Sequence, residues 1–311
     1  MKTYNSLEDF KVNFKTVVTI GTFDGVHLGH RYIINQLKKI AEREGAESVL
    51  LTFSPHPRIV LQDNNDSLKL IDTLEEKKKK LEKIGLDHMI IHKFTKEFSR
   101  TKYVNFVRDI LIKKLNVDHL VIGYDHHFGR NREGSFDHLT KFGPVYGFEV
   151  EEIPPQDVNY IKVSSTKIRN AIMEGDINKA TEYMGHPYVI IGVVVKGNQI
   201  GRSIGFPTAN IKVEEANKLV PREGVYAVRV IIDKKIFFGM LNIGYRPTLS
   251  NDNQLSIEVN IFDFKKNIYG EQVSLEIIQH VRNEIQFTSV NDLKSQLEKD
   301  LHECKSILKS L

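Results

Sequence analysis

Thr16-Val17-Val18-Thr19-Ile20-Gly21-Thr22-Phe23-Asp24-Gly25-Val26-His27-Leu28-Gly29-His30 is the stretch on which the architecture turns. Its first five residues are a short β-branched apolar run, the pattern of a buried strand, and Gly21 ends it. From Leu28 to Glu44 the period changes: Ile33, Ile34, Leu37, Ile40 and Ala41 fall on one helical face, and Gly45 stops the run. A strand that enters a glycine-rich turn and leaves as a helix opens a βαβ unit.

The pattern continues outward. Ser48 to Phe53, His88 to His92, His119 to Ile122 and Phe148 to Ile153 read as further strands, with helices over Leu74 to Ile84 and Lys102 to Leu115. Such alternation predicts a parallel sheet whose ligands bind beyond the carboxyl ends of the strands. After Gly185 the helical period fades. Val189 to Lys196, Val225 to Ile232, Lys235 to Ile243, Leu255 to Phe262 and Val273 to Gln279 read as strands separated by turn signals, the spacing of a small antiparallel barrel. A helix from about Ser289 closes the chain. The fold class expected is therefore α/β plus β. Residues 1–185 form a Rossmann-like domain with a parallel sheet, and residues 186–311 a β-barrel with a terminal helix.

Composition sets bounds. The chain has 311 residues, 41% apolar, with a net charge of +4 and one cysteine, Cys304. Two domains fit that length, no internal disulfide can form, and the mild positive excess suits anionic small molecules without a basic stripe for nucleic acid. No run approaches the roughly 20 apolar residues of a membrane span, and no signal peptide is visible. A cytoplasmic protein, a monomer or weak homo-oligomer that binds neither nucleic acid nor membrane, is expected. The Lys77-Lys78-Lys79-Lys80 run, flanked by Glu75, Glu76 and Glu82, reads as a solvated helix face. Cys304 reads as a packed or half-exposed thiol, not a nucleophile.

The turn after the first strand carries chemistry. Gly21, Gly25 and Gly29 let backbone approach a ligand, and the helix N-terminus behind them is an anion site. His27 and His30 share the first turn and suit phosphate oxygens. The loop lacks the Gly-Lys-Ser/Thr of a Walker A motif, and no Glu stands between the histidines as in a zinc-binding HExxH helix. Ser164, Ser165, Thr166 and Arg169 open a later helix, where they fit capping or phosphate binding. In the barrel half, Thr208 and Asn210 alternate within Gly201-Arg202-Ser203-Ile204-Gly205-Phe206-Pro207-Thr208-Ala209-Asn210-Ile211. Their oxygens suit a hard cation, or serve local hydrogen bonds in a β turn.

The HxGH-type loop, Thr52-Phe53-Ser54-Pro55-His56-Pro57, the Gly123 to Gly134 loop and the SSTxIR-type segment occur in order. Over about residues 14–184 the chain resembles the nucleotidyltransferase superfamily, and within it the FMN adenylyltransferase domain of bacterial bifunctional riboflavin kinase/FAD synthetases. Residues 201–211, Gly224 to Val228, Leu241 to Thr248, Ile257 to Phe264 and the Arg282, Glu284, Phe287 element resemble riboflavin kinases over about residues 186–305. The resemblance implies phosphorylation of riboflavin to FMN, then adenylylation of FMN to FAD with release of pyrophosphate, with ATP used twice and Mg²⁺ as cofactor. It implies that His27 and His30 are catalytic, with Gly21, Phe23, Asp24, Gly25, Gly29, Ser164, Ser165, Thr166 and Arg169 around the nucleotide and Pro55, Asp125, Phe128 and Arg130 near the flavin. In the kinase it implies Glu258 as general base, Thr208 and Asn210 at the metal, and Gly201, Arg202, Gly205, Pro207, Asn242 and Arg282 around ATP and flavin. Glu258 alternates with Ile257, Val259 and Ile261, which leaves open which face meets solvent. Asn260 and Gln286 stand where many relatives carry histidine and lysine, which leaves kinase efficiency open. The alternatives are a monofunctional FAD synthetase with a flavin-binding barrel and a flavin- or RNA-binding module without turnover.

Overall fold

The computed structural model describes residues 1–61, 68–124, 127–155, 157–158, 161–197, 201, 204–247 and 253–309. The chain divides into two compact units: residues 1–68 with 74–164, and residues 69–73 with 165–311.

In the first unit, β1 (Lys2–Tyr4), β2 (Thr16–Ile20), β3 (Glu47–Ser54), β4 (His88–Lys93), β5 (Val117–Gly123) and β6 (Glu149–Ile153) form one sheet in the order β1-β4-β3-β2-β5-β6. Every neighbouring pair is parallel. Successive residues of a strand face opposite sides. Val17, Leu50, Met89 and Val121 meet α1 (Leu28–Glu44) through Ile34, Leu37 and Ile40. α2 (Pro57–Leu61) follows β3, and α3 (Leu74–Ile84) adds Leu81 to the same layer. Val18, Leu51, Ile90 and Leu120 face the other layer. That layer contains Phe106, Val107 and Leu111 of the helical run that begins at α4 (Tyr103–Asn105) and continues as a π-helix over Phe106–Ile112, together with Leu139 of α5 (Phe136–Tyr146). Burial on that scale contributes about 1.5–3 kcal/mol per large apolar side chain. A hairpin of β7 (Asp157–Val158) and β8 (Ile161–Lys162) ends the unit. The edge strand β1 carries too little pattern in three residues to be read from sequence.

The second unit starts with α6 (Ser165–Glu174) and α7 (Ile177–Met184). β9 (Tyr188–Val195), β10 (Ala209–Lys212), β11 (Gly224–Ile232), β12 (Lys235–Pro247), β13 (Asn253–Ile261) and β14 (Gln272–Arg282) close into a barrel in the order β10-β13-β12-β11-β14-β9. The four-residue β10 joins the five strands expected and completes the closure. Tyr188, Tyr226, Leu241, Val259, Leu275 and Ile277 are buried in the unit. α8 (Val290–Lys309) covers the opposite face at Val225, Ala227 and Met240 through Cys304 and Leu308.

Residues 69–73 belong to this second unit although they precede α3. Leu70 N–H donates to the Asn217 carbonyl (2.7 Å), and Leu219 N–H to the Leu70 carbonyl (2.8 Å). Lys218 is 4% exposed, its Nζ donating to the carbonyls of Ile71 (2.6 Å) and Val189 (2.7 Å).

Candidate functional sites

In the first unit the strand order reverses between β2 and β5, so the loops after them flank the crevice where open α/β sheets bind ligands. The loop after β2 is built from fixed points. Gly21 N–H donates to the Leu51 carbonyl (3.1 Å). The Thr22 carbonyl accepts from Lys77 Nζ (2.6 Å) and Thr52 Oγ1 (3.3 Å). The chain then turns through φ values of +48° at Phe23, +87° at Gly25 and +40° at Val26. Only the glycine adopts that region freely; at Phe23 and β-branched Val26 it is strained and must be held by surrounding packing. Both side chains are buried, at 3% and 0% exposure, as is Asp24.

His27 caps α1: its Nδ1 accepts the His30 N–H (3.4 Å), which places the proton of a neutral His27 on Nε2. The two rings stack at 3.6 Å, and Phe23 stacks on His30 at 4.6 Å. Burial, then the neighbouring His27 and Lys77, holds the His30 imidazole well below the usual histidine range. His30 therefore stands neutral in the loop, its Nδ1 buried without a partner among the described residues. A Cβ on Gly21 would lie 2.9 Å from the Phe23 ring, and one on Gly29 3.3 Å from the His27 ring, so both glycines fit beneath the aromatic stack.

Pro55 is exposed on the loop after β3. After β5, Phe128 is buried against Phe106 (5.4 Å between ring centres) and pairs with Gly134, whose added Cβ would lie 2.7 Å from its ring. Phe128 thus supports the loop from beneath, while Arg130 is exposed and anchored by its N–H to the Thr101 carbonyl (2.8 Å). Asp125 lies outside the described residues. Ser164 ends the first unit, and Ser165, Thr166 and Arg169 sit on α6 in the second. Arg169 is 8% exposed, with Nε donating to the Lys69 carbonyl (2.7 Å).

The barrel aligns its candidates in one cross-strand row. Following the register, Arg282 of β14 pairs with Val225, Val225 with Asn242, Asn242 with Glu258, Glu258 with Asn210, and Asn210 with Val195. Directly opposed residues share a face. The row lies on the α8-covered side, next to Ala227 and Met240, which resolves the face of Glu258. Both carboxylate oxygens of Glu258 are held: Thr208 Oγ1 donates to Oε2 (3.0 Å) and Ser256 Oγ to Oε1 (2.9 Å). Asn260 Nδ2 donates to the Pro207 carbonyl (2.7 Å) and fixes the segment that delivers Thr208. Before it, Gly205 has φ +89°, and Phe206 N–H closes onto the Gly201 carbonyl (2.8 Å). Arg202 lies outside the described residues. Asn242 Nδ2 donates to Glu284 Oε1 (3.3 Å). A cavity of about 1060 Å³ opens beside the row, lined by Asn210, Ser256, Lys69, Lys196, Lys212 and Tyr245 among others.

Arg282 is differently engaged. Its Nε and Nη2 grip Asp300 of α8 at 2.7–3.1 Å, and Asp300 is 1% exposed. Three residues escaped sequence reading. Ser256, two positions before Glu258 on the same strand, shares its face, a signal that was available. Asp300 is an acid inside an apolar stripe, also visible. Lys77 is hidden in a lysine run and overturns the solvated-face expectation at that position: it and Glu76 are buried, at 7% and 2% exposure.

The model of the FAD synthetase family matches residues 9–167, and that of the riboflavin kinase family residues 184–308. The chain is 41% identical to the bifunctional riboflavin kinase/FMN adenylyltransferase of Listeria monocytogenes, over 95% of this chain and 93% of that one. It is 38% identical to the protein of the same description from Bacillus subtilis, over 93% and 91%. A crystal structure of a macrolide-efflux protein from Streptococcus pneumoniae superposes with a TM-score of 0.89 at 31% identity, covering 98% of each chain. No described helix of the present chain is long and apolar enough to cross a membrane. Two family matches in series, and relatives of one description along nearly the full length, place the chain in the bifunctional riboflavin kinase/FMN adenylyltransferase family.

Proposed function

We propose that the two ATP-dependent reactions of the family run at two separate constellations, divided near residues 185/186. In the barrel, Glu258 accepts the proton of the terminal ribityl hydroxyl of riboflavin, and that oxygen attacks the γ-phosphorus of ATP. The bond to ADP breaks and FMN forms. The observation that carries this is the Glu258 carboxylate, oriented through both oxygens by Thr208 and Ser256 and aligned with Asn210 and Asn242. A carboxylate within hydrogen-bond reach suits a general base. Thr208 donates its proton to Glu258, which leaves its lone pairs for a hard cation; with the Asn210 amide oxygen it is an oxygen set that fits Mg²⁺. Mg²⁺ bound there supplies charge neutralisation to ATP phosphates. Gly201, Arg202, Gly205 and Pro207 shape the approach of ATP, and Arg282 acts through its hold on α8.

In the other half, an FMN phosphate oxygen attacks the α-phosphorus of a second ATP, and pyrophosphate leaves. Positioning and charge stabilisation carry such a step. The N-terminus of α1, His27 and neutral His30 face the phosphates, with Gly21, Phe23, Asp24, Gly25 and Gly29 setting the backbone. Ser164, Ser165, Thr166 and Arg169 complete the cradle, and Pro55, Asp125, Phe128 and Arg130 border the flavin. The lone buried cysteine accords with a cytoplasmic enzyme, and we propose a monomer or weak homo-oligomer.

Incubation with riboflavin, ATP and Mg²⁺, followed by flavin separation, tests the reading. FMN should appear first and FAD after it. FAD formed from supplied FMN, with riboflavin never phosphorylated, would leave a monofunctional FAD synthetase.

A further inference from the structure

The residue that anchors the nucleotide loop is a lysine on a different element. Lys77 lies in the first turn of α3, on the face shared with Leu81, and both side chains are buried. Its neighbour Lys79 points to solvent and pairs with Glu75 at 2.8 Å. An ammonium taken out of water is costly unless it is hydrogen-bonded. Lys77 Nζ donates to the Thr22 carbonyl at 2.6 Å. Thr22 immediately precedes Phe23, the first residue of the turn with positive φ. Fixing that carbonyl fixes the peptide plane from which the strained turn begins, and with it Phe23, His30 and His27 in their stack.

We propose that Lys77 is a positioning residue for adenylyl transfer: its buried ammonium locks the Thr22 carbonyl and so holds the Phe23–Val26 turn, and the histidines behind it, in the geometry that receives nucleotide phosphate. The assignment rests on the Gly21–His30 loop being the ATP site. A methionine would fill the same apolar face of α3; what it lacks is the donor and the charge. The charge has a second effect. The groups acting on His30 are His27, which caps α1, and Lys77 from α3, with Asp24 buried in the same loop. Removing Lys77 withdraws one of the influences that keep His30 neutral.

Both activities are measured on full-length Lys77→Met, Lys77→Arg and His30→Ala. The expected result for Lys77→Met is a fall in adenylyl-transfer kcat of about tenfold or more, as small misplacements at a reacting centre produce. The acid limb of its pH profile moves to higher pH, riboflavin kinase activity is unchanged, and Lys77→Arg restores most of the rate. Wild-type kcat and acid limb in Lys77→Met overturn the proposal. If Lys77→Met loses both activities, Lys77→Arg decides. Near-parental adenylyl transfer supports the assignment, and its loss beside a normal kinase overturns it, because donor and charge are still present. His30→Ala separates the underlying reading: if it adenylylates FMN normally, the loop is not the phosphate site, whatever Lys77 does.

Discussion

At the scale of single residues the two sites differ in how they prepare a polar group. Glu258 is oriented by two hydroxyl donors, one on each carboxylate oxygen, in the posture proposed for the base. Glu258→Gln keeps the shape and removes the proposed base. Riboflavin phosphorylation should fall by about 10²–10⁴-fold, the usual worth of a general base, while FMN adenylylation persists; joint loss in a folded variant would argue against independent sites. Cys304 is the opposite case, a polar group made inert. Burial, with the charges of Asp300 and Glu303 beside it, pushes its thiol up to about 12. A disulfide reagent at about pH 8 should label it only after denaturation, since the thiolate is the reacting form. Brisk labelling of the native protein would refute the packing. Glycine and histidine at the first loop stood out because their types and spacing carry chemistry, whereas Thr208, Asn210 and Glu258 in the barrel were singled out by family resemblance. Lys77 was not, because four adjacent lysines look alike until a helix turns one of them inward.

At the scale of elements, a buried ion pair adds to the apolar packing that holds the C-terminal helix on the barrel. Arg282 ends β14, and both its Nε and Nη2 reach the buried carboxylate of Asp300, which also accepts from Gln296 Nε2 (2.8 Å). Arg282→Ala leaves that carboxylate buried and unpaired, a change that typically costs about 3–5 kcal/mol. The urea midpoint should fall accordingly. The loss should be smaller in Arg282→Ala/Asp300→Leu, where no stranded charge remains; equal losses would point to a lost contact of another kind. The grouping of Arg282 with the kinase candidates was implied by family resemblance, whereas its engagement with α8 depends on register and helix docking, which no local pattern encodes. The same holds for β10: four residues are too few for periodicity, and only pairing with β9 and β13 makes them a strand.

At the scale of the whole molecule, partly buried neutral histidines couple stability to pH. His30 and His92 in the first unit and His280 in the second are all held below the ordinary histidine range, burial being the leading cause. Unfolded, each takes up a proton near pH 6.5; folded, each resists it. The unfolded chain thus binds more protons over that window, and stability is full above about pH 6.5 and declines as pH falls toward the lowered folded values. The urea midpoint at about pH 5.5 should lie below that at about pH 7.5, and an unchanged midpoint would contradict the partial burial of these rings. That an α/β half precedes a barrel half was readable from the change of period along the chain, although the compact units part at 164/165, with α6 and α7 on the barrel's side. The assignment of residues 69–73 to the barrel's unit was not, because their role is written in backbone hydrogen bonds and in Lys218, far along the chain.

That short segment has a consequence for anyone dissecting the gene. A cut at 185/186 falls just inside the start of the riboflavin kinase match at residue 184, yet the fragment carrying the barrel would leave behind Leu70, which bonds to Asn217 and Leu219, and Ile71, whose carbonyl receives the Lys218 ammonium. Such a fragment would begin life with an exposed backbone strip and a half-solvated cation. A peptide of residues 68–74 supplied in trans is the natural complement, and recombining barrels among relatives would require this piece of the other half to travel with them.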